Sequence, residues 1–201
     1  MDADQKQSLA AKKYQIQLRI KVDEFIERHF LHWLEIYEAI LSTNVNHELV
    51  QLANVEKEEI SFWEKRMFTA PFEKFHFDLQ KLNTDAERNI ITKLYTSFPS
   101  TNPLRFMPTA MVPLFVSDKA GEIIAYFTKQ LNVNLEAEVY LMYLYYTPVL
   151  KLKLRDIITY AEQLYDFPME DIVITAINFD WLIFRSMEEE WRFCRRPTGI
   201  S

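Results

Sequence analysis

The last thirty residues contain three short runs of strand-forming residues separated by polar turns. These runs are DIVITAIN at 171–178, WLIFRSM at 181–187 and WRFCR at 191–195. Each run has the length of an ordinary β-strand, and connections this short join only antiparallel neighbours. The segment therefore predicts a three-stranded antiparallel meander. Alternate side chains along such strands face opposite sides of the sheet, so Trp181 and Ile183 are predicted on one side and Leu182 and Phe184 on the other.

Apolar residues spaced by three and four predict several helices upstream of the meander. The clearest helix runs from a possible cap at Asp23 to about Ser42, and weaker patterns cover 47–68 and 156–165. Residues 13–22, KYQIQLRIKV, alternate between polar and apolar side chains. This alternation predicts a strand, although a helix running straight through the segment is an open alternative.

A central strand is predicted between the helical segments. Residues 139–146 carry apolar side chains on both faces of the predicted strand. This pattern is typical of a strand that other elements cover on both sides. Taken together, the patterns predict an α+β fold, with a mostly antiparallel sheet that includes the C-terminal meander and is covered by several helices.

Four prolines between positions 99 and 113 predict a loop, because each proline lacks the backbone donor that regular structure needs. This loop is the only candidate domain boundary in the chain. Since each half alone has too few periodic elements to close a sheet, we expect residues 1–201 to form a single domain.

Composition excludes several classes of function. Glycine occurs only at positions 121 and 199, and this scarcity leaves no glycine-rich phosphate loop, dinucleotide fingerprint or nucleophile elbow. The net charge of −6 argues against binding to nucleic acid. The single cysteine permits no intrachain disulfide, and the polar N-terminus and the lack of a long apolar run argue against a membrane protein, so we expect a cytoplasmic location.

Two groups of residues invite a chemical interpretation. His29, His32 and Glu35 are spaced by three on a predicted helix, which would permit a metal site, but the usual zinc spacings are missing and surface or packing roles are favoured. Cys194 lies among arginines that would lower a thiol pKa, although a cysteine that packs in a strand is the better interpretation. We therefore predict no metal, no cofactor and no catalytic residue.

The acidic residues near the C-terminus are the favoured binding site. Asp180 and the run Glu188, Glu189 and Glu190, next to Trp191, fall at predicted strand tips, and such tips are usually solvated. They would also suit a partner protein with a basic surface.

A ligand pocket is the alternative interpretation. His76, Arg105, Tyr140 and Tyr143 would line the pocket, and loop 99–113 would close over it as a lid. In this alternative the chain is a small enzyme or a small-molecule-binding domain.

The C-terminal segment also resembles a group of known proteins. The helix end YDFPMED, the strand IVITAI and the strand opening FDWLIF are similar to the tail of small bacterial immunity-type proteins, including the SMI1/KNR4-like and related toxin-neutralising groups. This resemblance implies stoichiometric binding of a partner, often a toxin, without chemistry. The expected function is therefore a non-enzymatic protein–protein interaction module, and the aromatic content permits a homodimer.

Overall fold

A computed structural model describes residues 3–67, 79–85, 88–103, 105–109, 117–144, 148–166 and 170–197 of the chain. The side chains of Ala3 and of residues 29–33 lie outside this description. Within the described ranges the chain forms seven helices and a six-stranded antiparallel sheet, which confirms the predicted α+β class.

One long helical segment opens the chain. Helix α1 (Ala3–Phe25) continues through a π-helical turn (Ile26–Phe30) into α2 (Leu31–Ser42). The strand predicted at 13–22 is therefore wrong and the helical alternative is right. Lysine, glutamine and arginine fill the positions between the apolar residues, and their high helix propensity favours helix where no partner strand is available. Asp23 lies inside the helix and does not cap it.

The helix predicted at 47–68 is only half right. Its first part forms strands β1 (His47–Gln51) and β2 (Ala53–Asn54), and a 3₁₀ turn (Lys57–Glu59) then leads into α3 (Ile60–Met67). The short strand β3 (Leu82–Asn83) pairs in parallel with β2. Residues 47–51 become a strand because they pair with a strand about 100 positions later, and such pairing overrides local preference.

The remaining elements alternate between helices and the main sheet. They are α4 (Ile90–Ser97), α5 (Ala120–Gln130), β4 (Glu138–Tyr143), β5 (Val149–Lys153), α6 (Leu154–Thr159), α7 (Ala161–Tyr165), β6 (Ile172–Ala176), β7 (Trp181–Arg185) and β8 (Trp191–Arg195). The strand order β1-β5-β4-β6-β7-β8 places the predicted meander at one edge of the sheet. Strand β4 lies inside the sheet, as its apolar character predicts.

The sheet buries a separate core on each face. Helices α2, α5, α6 and α7 cover the face that carries Trp181 and Ile183, whereas α4 and the loop after it cover the face that carries Leu182 and Phe184. These side chains lie on the faces that the alternation predicts. Phe106, from the proline-rich loop, is almost completely buried in the second core, so this part of the loop packs against the sheet.

A third, smaller core lies beside the edge strand β1. Val22 and Ile26 of the first helical segment pack there with Trp63 and Met67 of α3. No helix in the described ranges is both long enough and apolar enough to cross a membrane.

Gly121 marks a close contact between two helices that cover the sheet. A Cβ atom added at this position in α5 would lie 2.8 Å from the carbonyl oxygen of Ile158 in α6. The distance is shorter than a carbon–oxygen contact allows, so the absence of a side chain lets the two helices approach each other this closely.

Candidate interaction surfaces

The predicted acidic residues 188–190 form a tight turn between β7 and β8. The Ser186 hydroxyl accepts hydrogen bonds from the backbone amides of Glu188 and Glu190, each at 3.2 Å. The Asp171 carboxylate accepts the amide of Met187 at 2.8 Å. Glu189 adopts a left-handed backbone conformation, with φ of 64°. The turn is therefore held by buried polar groups beneath it.

Each glutamate of this turn has an arginine partner. Arg105 of the proline-rich loop binds Glu188, and the guanidinium holds the pKa of that carboxyl below its usual value. Arg185 reaches Glu189 and Arg192 reaches Glu190, both at 3.0 Å. These pairs neutralise much of the negative charge that a basic partner would meet.

The five residues of the predicted acidic site do not form one patch. Asp180 lies in the turn between β6 and β7, so the length of β7, about 16 Å for five residues, separates it from residues 188–190. Trp191 is half-buried and stacks on Tyr165 with 5.2 Å between ring centroids. A partner at this end of the sheet would therefore contact Glu188, Glu189 and Glu190 without Asp180.

The residues of the alternative ligand pocket do not converge. Tyr140 and Tyr143 lie three positions apart in β4 and belong to the cores on opposite faces of the sheet. The Tyr143 hydroxyl is buried and donates to the carbonyl of Leu164 at 2.9 Å. Arg105 is engaged by Glu188, and His76 lies outside the described residues. No pocket with convergent polar groups follows from the three described positions.

The two candidates for chemistry are the group His29, His32 and Glu35, and Cys194. The side chains of His29 and His32 lie outside the described residues, and Glu35 lies on α2. Among the side chains that are described, no three His, Cys, Asp or Glu residues are grouped as metal ligands. Cys194 is buried in β8, and burial raises the pKa of its thiol to about 11, which disfavours the nucleophilic thiolate at neutral pH.

A surface that the sequence did not single out lies on α1. Residues 4–17 are exposed on every side of the helix, and only its C-terminal part packs against α3. Leu9, Ile16 and Ile20 are 54%, 51% and 45% exposed, although each is a large aliphatic residue. We call these three residues the α1 stripe.

The α1 stripe faces away from the body of the protein. At about 100° per residue, Leu9, Ile16 and Ile20 fall within about 40° of one another around the helix axis. Leu18 and Val22, which are 5% and 1% exposed, lie on the opposite side and pack into the fold. The helix therefore has two apolar faces, of which the protein itself covers one.

The first 22 residues differ in charge from the rest of the chain. Residues 1–22 contain five lysines and arginines against two aspartates, whereas the rest of the chain contains 18 basic and 27 acidic residues. Lys6, Lys12 and Lys13 are exposed near the α1 stripe. Acidic residues follow at the C-terminal end of the same helical segment, where Asp23 and Glu27 pair with Arg66 at 3.0 and 3.7 Å.

Two concave regions lie elsewhere on the surface. A cleft of about 210 Å³ beside α1 is lined by the ion pair of Lys21 with the buried Glu59 and by the rings of Phe25 and Trp63. A groove of about 390 Å³ crosses β1 and β5, where Lys151 binds Glu48 at 2.8 Å. Ion pairs within the chain occupy the charged groups named in both regions.

No family model matches the sequence, and neither the curated proteins nor the solved structures contain a match.

Proposed function

We propose that the protein is a non-enzymatic protein–protein interaction module that binds its partner through the α1 stripe. The observation that carries the proposal is the exposure of Leu9, Ile16 and Ile20 on the face of α1 opposite to the packed face. Water disfavours a row of aliphatic side chains, and a helix with an uncovered apolar face is a common recognition element for a partner groove or helix.

The acidic turn at 188–190 is a weaker candidate for the same role. Its three carboxylates already have arginine partners, and a basic partner would have to compete with them. Binding through the α1 stripe requires no ion pair of Leu9, Ile16 or Ile20 to be broken, because these side chains are aliphatic.

An immunity-like role remains part of the proposal, as stoichiometric neutralisation of a partner or toxin in a bacterial cytoplasm. It is supported by the resemblance of the C-terminal segment, the single cysteine and the acidic net charge. Cell fractionation with an antibody against the chain tests the location. Recovery outside the cytoplasm would contradict it.

The binding proposal is tested with a variant of the α1 stripe, L9Q/I16Q/I20Q, and a matched control, L41Q/L135Q/I177Q. The control replaces three aliphatic residues of similar exposure, at 48%, 48% and 40%, that lie elsewhere on the surface. We expect the native chain and the control to retain a stoichiometric protein partner from a cell extract, and the stripe variant to lose it. Calorimetry with the purified partner then measures the stoichiometry.

Two results would contradict the proposal. One is a partner that the stripe variant and the control bind equally well. The other is a small-molecule ligand that copurifies with the chain while no protein does, which would favour the ligand-binding alternative.

A further inference from the structure

We infer that the outer side of strand β8 binds an extended acidic segment of a partner protein, which joins the sheet as an additional antiparallel strand. The inference goes beyond the proposed function, because it concerns a surface other than the α1 stripe. Three observations support it, namely the direction of the backbone groups of β8, the side chains beside them and the positive charge at Arg195.

The first observation is the direction of the backbone groups in β8. This strand is the last in the sheet, so it has a neighbouring strand, β7, on one side only. The Ser186 amide donates to the Glu190 carbonyl at 2.9 Å. Hydrogen-bonded pairs alternate with other pairs along an antiparallel ladder, so the even-numbered residues of β8 bond to β7. The amides and carbonyls of Trp191, Phe193 and Arg195 therefore point away from β7.

These outward groups are open to another strand. Within the described ranges, no hydrogen bond engages the backbone amides or carbonyls of Trp191, Phe193 and Arg195. We call this row of groups the β8 edge. An uncovered row of donors and acceptors is a template for strand pairing, and extended peptides commonly bind to a sheet in this way.

The side chains beside the β8 edge define the apolar part of the partner. Trp191 and Phe193 lie on the face that α5 covers, where Phe193 stacks on Phe127 with 4.6 Å between ring centroids. Arg195 follows on the same face, because alternate residues of a strand share a face. A partner residue directly opposite any of the three places its Cβ about 5 Å away on that face. Apolar residues therefore suit the positions opposite Trp191 and Phe193.

Arg195 defines the charge of the partner. This residue is exposed, and its guanidinium donates to the Leu131 carbonyl at the end of α5, which is an uncharged acceptor. Lys129, in the last turn of α5, is also exposed. Neither 123–135 nor 191–197 contains an aspartate or a glutamate. A carboxylate opposite Arg195 would therefore meet a positively charged part of the surface.

The acidic residues of the two neighbouring turns are engaged elsewhere. Glu190 lies at the other end of β8, about 16 Å along the strand from Arg195, and binds Arg192 at 3.0 Å. The Asp180 carboxylate accepts a hydrogen bond from the side-chain amide of Asn178. Among the described residues Arg195 forms no ion pair. Its charge is thus available to a carboxylate of the partner.

The same charge argues against a second copy of the chain as the occupant. Strand β8 of another copy would bring three arginines and no acidic residue between 191 and 197, and like charges on adjacent strands destabilise their pairing. An antiparallel partner runs from the residue opposite Arg195 to the residue opposite Trp191. Its expected pattern is therefore acidic, any, apolar, any, apolar.

The first test uses a fluorescein-labelled peptide of sequence SETVTVS with blocked ends, which has this pattern. Fluorescence anisotropy should show saturable binding to the full chain, with a dissociation constant on the order of 10–100 µM. The peptide SKTVTVS should bind about tenfold more weakly, because its lysine lies opposite Arg195.

The second test addresses the backbone pairing. The amide of the first valine in SETVTVS faces the β8 edge opposite Phe193, whereas the amide of the first threonine faces away from it. N-methylation of this valine should abolish binding, because it removes a donor and places a methyl group between the strands. N-methylation of the threonine is the matched control and should leave the affinity within about twofold.

The third test changes the chain. R195E should weaken the binding of SETVTVS by about tenfold and strengthen that of SKTVTVS by a similar factor. K93E, which reverses an exposed charge on α4, is the control and should change neither affinity. Circular dichroism and urea denaturation check that both variants are folded.

The possible results separate the inference from the proposed function. The inference falls if SETVTVS fails to saturate the chain below about 1 mM, if both N-methylated peptides bind equally, or if the glutamate and lysine peptides do. A native dimer in sedimentation velocity that the peptide dissociates would assign the β8 edge to a second copy, which also overturns it. L9Q/I16Q/I20Q should bind the peptide like the native chain, so failure at one surface leaves the other proposal standing.

Discussion

At the scale of single residues, β4 uses two tyrosines for different purposes. Tyr143 is fully buried among the helices on one face of the sheet, where its hydroxyl has the Leu164 carbonyl as acceptor at 2.9 Å. Tyr140 is half-buried on the other face, next to Phe179 with 5.9 Å between ring centroids. Tyr143 is thus a hydrogen-bonded core residue, whereas Tyr140 lies at the margin of a core.

This difference predicts unequal losses of stability. Tyr143→Phe should lower the free energy of unfolding by about 1–2 kcal/mol, because it leaves the buried Leu164 carbonyl without a donor. Tyr140→Phe, the matched control, should change it by less than about 0.5 kcal/mol. Urea denaturation monitored by tryptophan fluorescence measures both. Equal losses would mean that the buried hydrogen bond has no net effect.

At the scale of elements, the C-terminal part of α1 packs against the fold, whereas its N-terminal part projects into solvent. Its C-terminal part is fixed by Val22 in the small core, by the burial of Leu18 and by the pairing of Lys21 with Glu56 at 2.9 Å. The side chains of the projecting part, residues 4–17, are exposed on every side of the helix. Neighbouring aliphatic residues of this helix therefore differ widely in what they contribute to stability.

Replacing one residue from each face tests this division. Leu18→Ala should cost about 2–4 kcal/mol, because it removes buried methyl groups and leaves a cavity. Ile20→Ala should cost less than about 0.5 kcal/mol, because its side chain is already half-exposed. Urea titrations of the native chain and of both variants measure the two losses. A strand at 13–22 would place both residues on one face, and similar losses would support that arrangement.

At the scale of the whole molecule, the cores on the two faces of the sheet bury groups that ionise only in alkali. Burial raises the pKa of Tyr143 and of Tyr165 well above 10.0 on one face. On the other face, burial raises the pKa of Cys194 from 9.0 to about 11. Above pH 9 the unfolded chain therefore loses protons that the folded chain retains. The contribution of these groups to the free energy of unfolding is fully present below that pH and is lost as the pH rises further.

The alkaline loss of stability is a measurable prediction. The free energy of unfolding should fall above about pH 10, and Tyr165→Phe should reduce the slope by up to about 1.4 kcal/mol per pH unit. The substitution removes a buried hydroxyl that has no hydrogen-bond partner among the described residues, so little loss is expected at pH 7. Tyr14→Phe, in the exposed part of α1, is the control. Urea titrations from pH 7 to pH 11 give the slope for the native chain and for each variant. A Tyr165→Phe slope equal to the native slope would contradict the prediction.

The meander could be predicted because its pairing is local. Short turns join β6 to β7 and β7 to β8, and the alternation within 181–185 already separates the two faces. Strand β1 could not be predicted in this way, because its partner β5 lies about 100 residues away. The alternation at 13–22 fits a strand when taken alone. Only the helix reveals that Ile16 and Ile20 face away from Leu18.

The candidate site was predictable to a similar extent. The acidic residues 188–190 do occupy a strand tip, as their position between two strands predicts. The pairing of Glu188 with Arg105 was not predictable, because the contact joins residues 83 positions apart. The α1 stripe has a visible signal in the spacing of Leu9, Ile16 and Ile20, but the signal appears only once the segment is taken as a helix.

The close approach at Gly121 also bears on how distant relatives of this chain can be recognised. Exposed positions of α5 can change during evolution, but position 121 admits only a hydrogen atom while the Ile158 carbonyl stays 2.8 Å from where a Cβ would lie. A homologue that keeps this helix contact should keep the glycine, even where most other positions have diverged. One that carries alanine there must have moved α5 and α6 apart.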